Sequence, residues 1–145
     1  MNHITIIALL NLSMLGAFTA FAHETDTPLA NEMSAMNKPY RSLSKAFRKT
    51  PDGSNQADYI ALTQTMLKHA KASVDLPPAQ TSKLDTAAQV KMTADYKQAM
   101  QASVKTLEQL EAALTAADYT AAKDLLAQLK KQKSDGHDRF QEEEE

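Results

Sequence analysis

Apolar residues that recur at helical spacing are the feature that most constrains the fold of this chain. In the first such stretch the gaps alternate between four and three residues: Leu29, Met33, Met36, Tyr40, Leu43 and Phe47. This alternation keeps the apolar side chains on one face of an α-helix. The chain has only three glycines and is rich in Ala, Leu, Gln and Lys, which are good helix formers. The pattern therefore predicts helix and argues against sheet.

Capping residues and prolines divide the pattern into segments. Thr27 followed by Pro28 predicts the start of the first helix, and the turn sequence at residues 50–53 predicts its end. The second helix is predicted to start near Ser54 and to stop at the Leu-Pro-Pro sequence of residues 76–78. The apolar positions of this second helix are Tyr59, Leu62, Met66, Leu67, Ala70 and Val74.

Two further helices follow a polar stretch over residues 79–85. Asp85 or Thr86 is predicted to cap the third helix, and Asp118 to cap the fourth. The apolar positions of the third helix are Val90, Tyr96, Met100, Val104, Leu107, Leu110 and Leu114. One face of the fourth carries Tyr119, Ala122, Leu126, Leu129, Lys133, His137 and Phe140. Short first and third connections and a longer middle one predict an all-α, antiparallel up-down-up-down four-helix bundle.

The first 22 residues have the properties of a secretory signal peptide. Residues 4–21 are strongly apolar, and Ala20 and Ala22 are small residues at the positions that signal peptidase reads. The segment lacks an initial Lys or Arg, so an uncleaved anchor is the alternative. We expect cleavage after Ala22 and export to the periplasm, which leaves residues 23–145 as a single domain without a membrane span.

Composition excludes several classes of function. The absence of cysteine excludes disulfides, thiolate metal sites and thioether-linked cofactors. A net charge of −2 argues against a nucleic-acid-binding protein. The chain has no Gly-rich phosphate loop, nucleophile elbow or HExxH motif, and no paired Glu-x-x-His motifs of a di-iron bundle. We therefore do not expect an enzyme.

A methionine and a histidine at opposite ends of the chain form the candidate site. Lys133 and His137 interrupt the apolar face of the fourth helix one turn apart, and Met33 lies near the start of the first helix. Antiparallel order brings Met33 level with His137, with Tyr96 and Met100 of the third helix at a similar depth. A thioether and an imidazole together form an axial ligand pair for haem iron.

Other interpretations of these residues remain open. Met33 alone is typical of a core residue, and Gly136 favours a fraying helix end in which Lys133 and His137 are simply solvated. His69 lies at the edge of the second helix's apolar face and competes as a ligand. The alternative functions are a haem-free secreted interaction or stress protein, and a weak metal-binding protein that uses His137, His69 or His23 with the acidic tail at residues 142–145.

Three stretches of the chain resemble the cytochrome b562 family. They are Leu29-xxx-Met33-xx-Met36-xxx-Tyr40 in the first helix, the Pro-Pro end of the second helix, and Ala127-Gln128-Leu129-Lys130 followed by His137 and Phe140. The resemblance implies that Met33 and His137 are the axial ligands. It also implies that Tyr96 and Met100 occupy the positions of two pocket phenylalanines, and that Lys133 is the basic residue beside the haem.

The resemblance further implies one non-covalent b-type haem per chain, with Met36, Tyr40 and Phe140 among the residues that line it. The implied function is periplasmic one-electron transfer by a monomer with an unidentified redox partner protein. Neither nucleic acid nor a membrane is an expected partner. Pro39, inside the first helix, is expected to bend that helix because proline lacks the backbone donor.

Overall fold

Four helices account for most of the part of the chain that the structure describes. The structure is a computed structural model in which residues 27–51 and 53–140 are described. The helices are α1 (Pro28–Ala46), α2 (Gln56–Ser73), α3 (Thr86–Thr115) and α4 (Tyr119–Phe140). Short 3₁₀ helices at Gly53–Asn55 and Ala79–Lys83 lie in the first two connections. The prediction of an all-α four-helix bundle is confirmed.

Some predictions concern residues outside these ranges. The signal peptide over residues 1–22, the mature N-terminus at His23 and the acidic tail at residues 142–145 all lie outside the described residues. Among the helices that are described, none combines the length and the apolar character needed to cross a bilayer.

Side-chain caps begin three of the four helices, as the sequence predicts. The Thr27 hydroxyl accepts a hydrogen bond from the Ala30 N–H at 3.1 Å, and the Asp85 carboxylate accepts one from the Ala88 N–H at 2.9 Å. Asp118 does the same for α4, where the Ala121 N–H donates at 3.0 Å. Each cap satisfies a backbone donor that the first helical turn leaves unpaired.

Contacts between helices establish the antiparallel order. The ring of Phe47, just after α1, lies 5.4 Å from the ring of Tyr59, near the start of α2. At the opposite end, Nδ1 of His69 on α2 lies 2.6 Å from Oε2 of Glu32 on α1. Close packing of backbones joins α1 to α2, α2 to α3, and α3 to α4. Over the described helices, α1 and α4 approach each other at few positions at most.

The core consists largely of the predicted apolar faces. The buried hydrophobic residues are Leu43, Phe47, Tyr59, Met66, Ala70, Tyr96, Met100, Leu107, Leu110, Leu114, Ala122, Leu126 and Leu129. Val90 departs from the prediction, because its side chain is 68% exposed near the start of α3. Pro39 is buried within α1, and the helix continues through it to Ala46.

One end of the bundle is closed by aromatic packing. The rings of Phe47, Tyr59 and Tyr119 meet edge to face, with centroids 5.4–6.4 Å apart. Beside them, Nε2 of Gln56 donates a hydrogen bond at 2.6 Å to the Leu114 carbonyl at the end of α3. Edge-to-face aromatic pairs each contribute about 0.5–1.5 kcal/mol beyond burial, so this cluster fixes three chain segments firmly together.

The tight turn between α3 and α4 depends on a left-handed residue. Ala117 has φ of 55°, a conformation that favours glycine. The Asp118 N–H donates to the Ala113 carbonyl at 2.9 Å, and the Ala117 N–H donates to the Leu114 carbonyl at 3.1 Å. These two bonds form the Schellman motif that ends many helices. The motif lets α4 begin at Tyr119 with only three residues between it and the end of α3 at Thr115.

Tyr96 ties α3 to the end of α2. Its side chain is 4% exposed, and its hydroxyl donates a hydrogen bond at 3.0 Å to the Ser73 carbonyl. Burial raises the pKa of the Tyr96 hydroxyl well above its ordinary value, because the surroundings disfavour the phenolate.

We predict that Ala117→Gly stabilises the protein. A left-handed conformation costs a non-glycine residue about 1–2 kcal/mol, and part of the gain is lost because glycine is more flexible in the unfolded chain. Urea unfolding should therefore show a gain of about 0.5–1 kcal/mol. Ala116→Gly is the matched control, since Ala116 has φ of −79° and should lose stability instead. Equal effects of both substitutions would contradict the prediction.

We also predict a loss of stability in alkali that depends on Tyr96. Because the pKa of Tyr96 is higher in the folded than in the unfolded state, its contribution is complete below about pH 10, where unfolded tyrosine is neutral. The contribution is lost as the pH rises from there toward the folded pKa. Tyr96→Phe should cost about 1 kcal/mol at neutral pH and flatten the decline above about pH 10. The measurement is the free energy of unfolding from denaturant titrations at a series of pH values. Tyr40→Phe is the control and should lose stability above about pH 10 as the original protein does.

Candidate functional site

Lys133 of α4 contacts two residues of α1. Its Nζ donates a hydrogen bond at 2.9 Å to Oδ1 of Asn37, and the same ammonium lies 5.5 Å from the centroid of the Tyr40 ring. The two helices run in opposite directions. Moving one turn back from Asn37 along α1 and one turn forward from Lys133 along α4 leads to Met33 and His137. The register therefore brings these two positions to the same depth.

The same contact also relates the faces of the two helices. Residues four apart lie on one side of an α-helix, so Met33 shares a side with Asn37, and His137 shares a side with Lys133. Asn37 and Lys133 touch across the seam between α1 and α4, which we call the α1–α4 seam. Met33 and His137 thus belong to the helix sides that border this seam.

On the α1 side, the candidate residues form a half-buried apolar wall. Met33, Met36 and Tyr40 are each partly buried and pack against the core cluster. Because α1 has no closely packed backbone neighbour across the seam, this wall retains exposed apolar surface. A planar apolar ligand would remove such surface from water.

On the α4 side, the imidazole is accessible. His137 is exposed, lies in the last turn of α4, and makes no hydrogen bond to another described residue. The neighbouring residue is Gly136, and a Cβ placed on it would meet no atom within 4 Å. Space is therefore open beside the histidine, and its ring nitrogens are available for a coordinate bond.

Aromatic and sulfur-containing side chains lie deeper at this end of the bundle. Tyr96 and Met100 of α3 are both buried, and the Tyr96 ring meets the Phe140 ring edge to face at 5.5 Å. Nε2 of Gln80, in the second connection, donates at 3.2 Å to the Arg139 carbonyl, which holds the last turn of α4 against the bundle. Arg139 and Phe140 thus anchor the last turn of α4, which also carries His137.

His69 lies at this end of the bundle but has a different partner. Its ring is 25% exposed, and its Nδ1 approaches the Glu32 carboxylate at 2.6 Å. The sequence suggested a boundary residue at the edge of the α2 face, which agrees with the partial burial. The partner, Glu32, was not foreseen, although it directly precedes Met33 on the helix that faces α2.

Asn37 was also missed as a site residue. The signal that could have identified it is its position four residues after Met33, which mirrors the position of Lys133 four residues before His137. Polar residues at matched positions on two antiparallel helices can meet across the interface. Its role here is to fix the register rather than to bind a ligand.

The geometry does not assemble a conventional metal-ion site. Across residues 27–51 and 53–140, no three side chains of His, Cys, Asp or Glu come together to hold an ion. His23 and the acidic tail, which the metal-binding alternative also invoked, lie outside these ranges.

Comparison with known proteins agrees with the architecture. A family model described as Cytochrome b562 matches residues 28–141, a range that begins with α1 and extends one residue past α4. No curated protein and no solved structure gave a match. Since the family model spans all four helices, the chain belongs to the cytochrome b562 family.

Proposed function

We propose that this protein is an electron carrier that holds one b-type haem at the α1–α4 seam, with Met33 and His137 as the axial ligands. Its family consists of b-type haem electron-transfer proteins. What the proposal adds is the identity of the ligands, the lining of the site and the stoichiometry of one haem per chain.

A single observation carries the assignment of ligands. The hydrogen bond between Lys133 and Asn37 supports a register in which Met33 and His137 are level on the two sides of the seam. If α4 were shifted along its axis by one turn, which is about 5.4 Å, a different residue of α4 would lie opposite Met33. Met36 is less well supported, because it lies three residues beyond Met33, about 4.5 Å farther along α1, and so is not level with His137 in this register.

The chemistry of the surrounding side chains fits a haem. Met33 offers a thioether and His137 an imidazole, and both are established ligands of haem iron. Met36, Tyr40 and Phe140 are half-buried apolar or aromatic groups, suited to cover a porphyrin face. The ammonium of Lys133 bonds only the neutral side chain of Asn37 among the described residues, and so can pair with a carboxylate at the haem edge.

The proposed ligands favour electron transfer. Haem held by Met33 and His137 would supply a one-electron iron couple, and the methionine ligand would raise its potential. If both ligands come from the protein, the iron would have no open position for oxygen or a substrate. Tyr96 and Met100, buried below, exclude water from one side of the seam. We therefore propose an electron carrier rather than an enzyme, in line with the family's role as an electron carrier.

The cellular setting completes the proposal. The family is periplasmic. We propose that this chain is exported by cleavage after Ala22 and acts as a monomer, exchanging electrons with a periplasmic redox protein. Neither nucleic acid nor a membrane is a partner in this proposal.

The absence of cysteine predicts that the haem is extractable. No thioether bond can join the cofactor to the chain, so acidified organic solvent should transfer all pigment to the organic phase. The measurement is the visible absorbance of both phases, with a cytochrome c as the covalent control. Pigment that remains with this polypeptide would contradict a non-covalent b-type haem. Colourless protein after purification with added haem would favour the haem-free alternative.

Substitution of the two ligands should give different spectra. Met33→Ala removes the thioether but keeps the imidazole, so haem should still bind, with a shift from low-spin toward high-spin absorption and a lower reduction potential. His137→Ala should weaken haem binding more, because imidazole is the stronger ligand. The measurements are the visible spectrum, haem titration and a potentiometric titration of each variant.

Met36→Ala is the matched control on the same helix. It should cost roughly 1–3 kcal/mol of stability, since Met36 is only partly buried, and should leave the low-spin spectrum intact. If Met36→Ala removes the low-spin form while Met33→Ala preserves it, the register argument has selected the wrong methionine. If both single variants keep low-spin spectra, the double variant Met33→Ala with Met36→Ala decides between two explanations. A loss of the low-spin form would mean that either methionine can serve as the ligand, whereas its retention would mean that the ligand is not one of these methionines.

A further inference from the structure

A basic groove lies along the α1–α4 seam, toward its closed end. The groove is bordered by Arg41 and Lys45 of α1, by Arg48 two residues after α1, and by Lys123 and Lys130 of α4. All five side chains are exposed, and buried Phe47 and Leu126 form part of the floor. We refer to these seven residues as the basic groove. It occupies the same seam as Met33 and His137, but on the other side of the bridge made by Lys133.

The positive charge of the groove is not neutralised by its surroundings. Residues 33–51 contain five Lys or Arg residues, three of them in the groove, and no Asp or Glu. The whole chain, by contrast, has a net charge of −2. None of the five groove cations forms an ion pair with another described residue. Elsewhere some lysines do so: Lys71, Lys97 and Lys131 lie 2.6–2.9 Å from carboxylates.

The distribution of these cations fits a large partner better than a small ligand. From Arg41 to Lys45 the charges extend about 6 Å along the axis of α1, at a rise of about 1.5 Å per residue, and Arg48 continues the strip beyond the helix end. The rims consist of long, exposed side chains, and the groove is partly open to solvent. Small-ligand sites instead surround most of the ligand with fixed polar groups.

We propose that the basic groove is the docking surface for an acidic protein. Charge complementarity identifies the occupant, because an unneutralised positive strip with apolar residues at its floor attracts carboxylates over an extended area. Arg41 lies about 12 Å along α1 from Met33, given a rise of about 1.5 Å per residue. Docking therefore brings a partner to the seam that also carries the candidate haem ligands. That the partner is a redox protein rests on the proposed function.

The test uses an acidic plant-type [2Fe–2S] ferredoxin as the probe and a basic cytochrome c as the probe of opposite charge. Backbone amide chemical shifts of the isotope-labelled protein are followed during titration with each probe. Titrations are run at about 0.01 M salt, where the Debye length is about 30 Å, and at about 1 M, where it is about 3 Å. This readout requires no haem.

Two double variants with the same change in net charge separate the groove from overall charge. Lys45→Glu with Lys123→Glu alters the groove, whereas Lys68→Glu with Lys105→Glu alters exposed lysines on α2 and α3. We expect ferredoxin to perturb amides along the groove. Its affinity at low salt should fall about tenfold in the groove variant and at most about twofold in the control. The difference should disappear at high salt, and the basic cytochrome should not perturb the groove.

The groove proposal is overturned if the groove variant binds ferredoxin as tightly as the original protein, or if the control variant loses as much affinity. Perturbation centred on α2 and α3 would overturn it as well. Lys45→Gln with Lys123→Gln should give an intermediate affinity, which guards against misfolding of the charge-reversed variant. If this protein binds ferredoxin at the groove but binds no haem, the proposed function alone is contradicted. If it binds haem but does not bind ferredoxin at the groove, this inference alone is contradicted.

Discussion

The separation of α1 from α4 is the constraint on which the site depends. Three helix pairs are closely packed, whereas the α1–α4 seam is spanned by Lys133 reaching Asn37 and Tyr40. At one end, aromatic packing among Phe47, Tyr59 and Tyr119 holds the seam together. The other end is left open to solvent at His137. A bundle that closed all four interfaces equally would bury its apolar wall and leave no room for a planar cofactor.

Polar groups within the bundle serve mainly to fix its geometry. The Thr106 hydroxyl, 2% exposed, accepts hydrogen bonds from the amides of Gln128 and Gln132 and donates to the Ala102 carbonyl. Tyr96 similarly bonds the Ser73 carbonyl. Each bond satisfies a buried polar group that would otherwise cost about 1–3 kcal/mol, and each favours one register of the helices. The position of His137 relative to Met33 is therefore set by contacts throughout the bundle as well as at the seam.

Charge is distributed differently at the two ends of the seam. Near Met33 the charged neighbour Glu32 is paired with His69, and Met36, Tyr40 and Phe140 contribute apolar or aromatic surface. Farther along, five cations border the basic groove without partners. An apolar site favours burial of a cofactor, whereas exposed unpaired charge favours rapid, salt-sensitive association with another protein. Both features on one seam are consistent with transfer of an electron between a buried group and a docked partner.

The sequence alone determined the helical class, the caps at Thr27, Asp85 and Asp118, and most of the core, because these follow from periodicity and local hydrogen bonding. It also indicated Met33 and His137, since antiparallel order is implied by the lengths of the connections. It did not foresee the exposed Val90, the pair of Glu32 with His69, or the bridge from Lys133 to Asn37. These depend on how the helices rotate and slide against one another. Periodicity defines a face only to within part of a turn, so the tertiary packing alone decided which polar groups meet and which seam stays open.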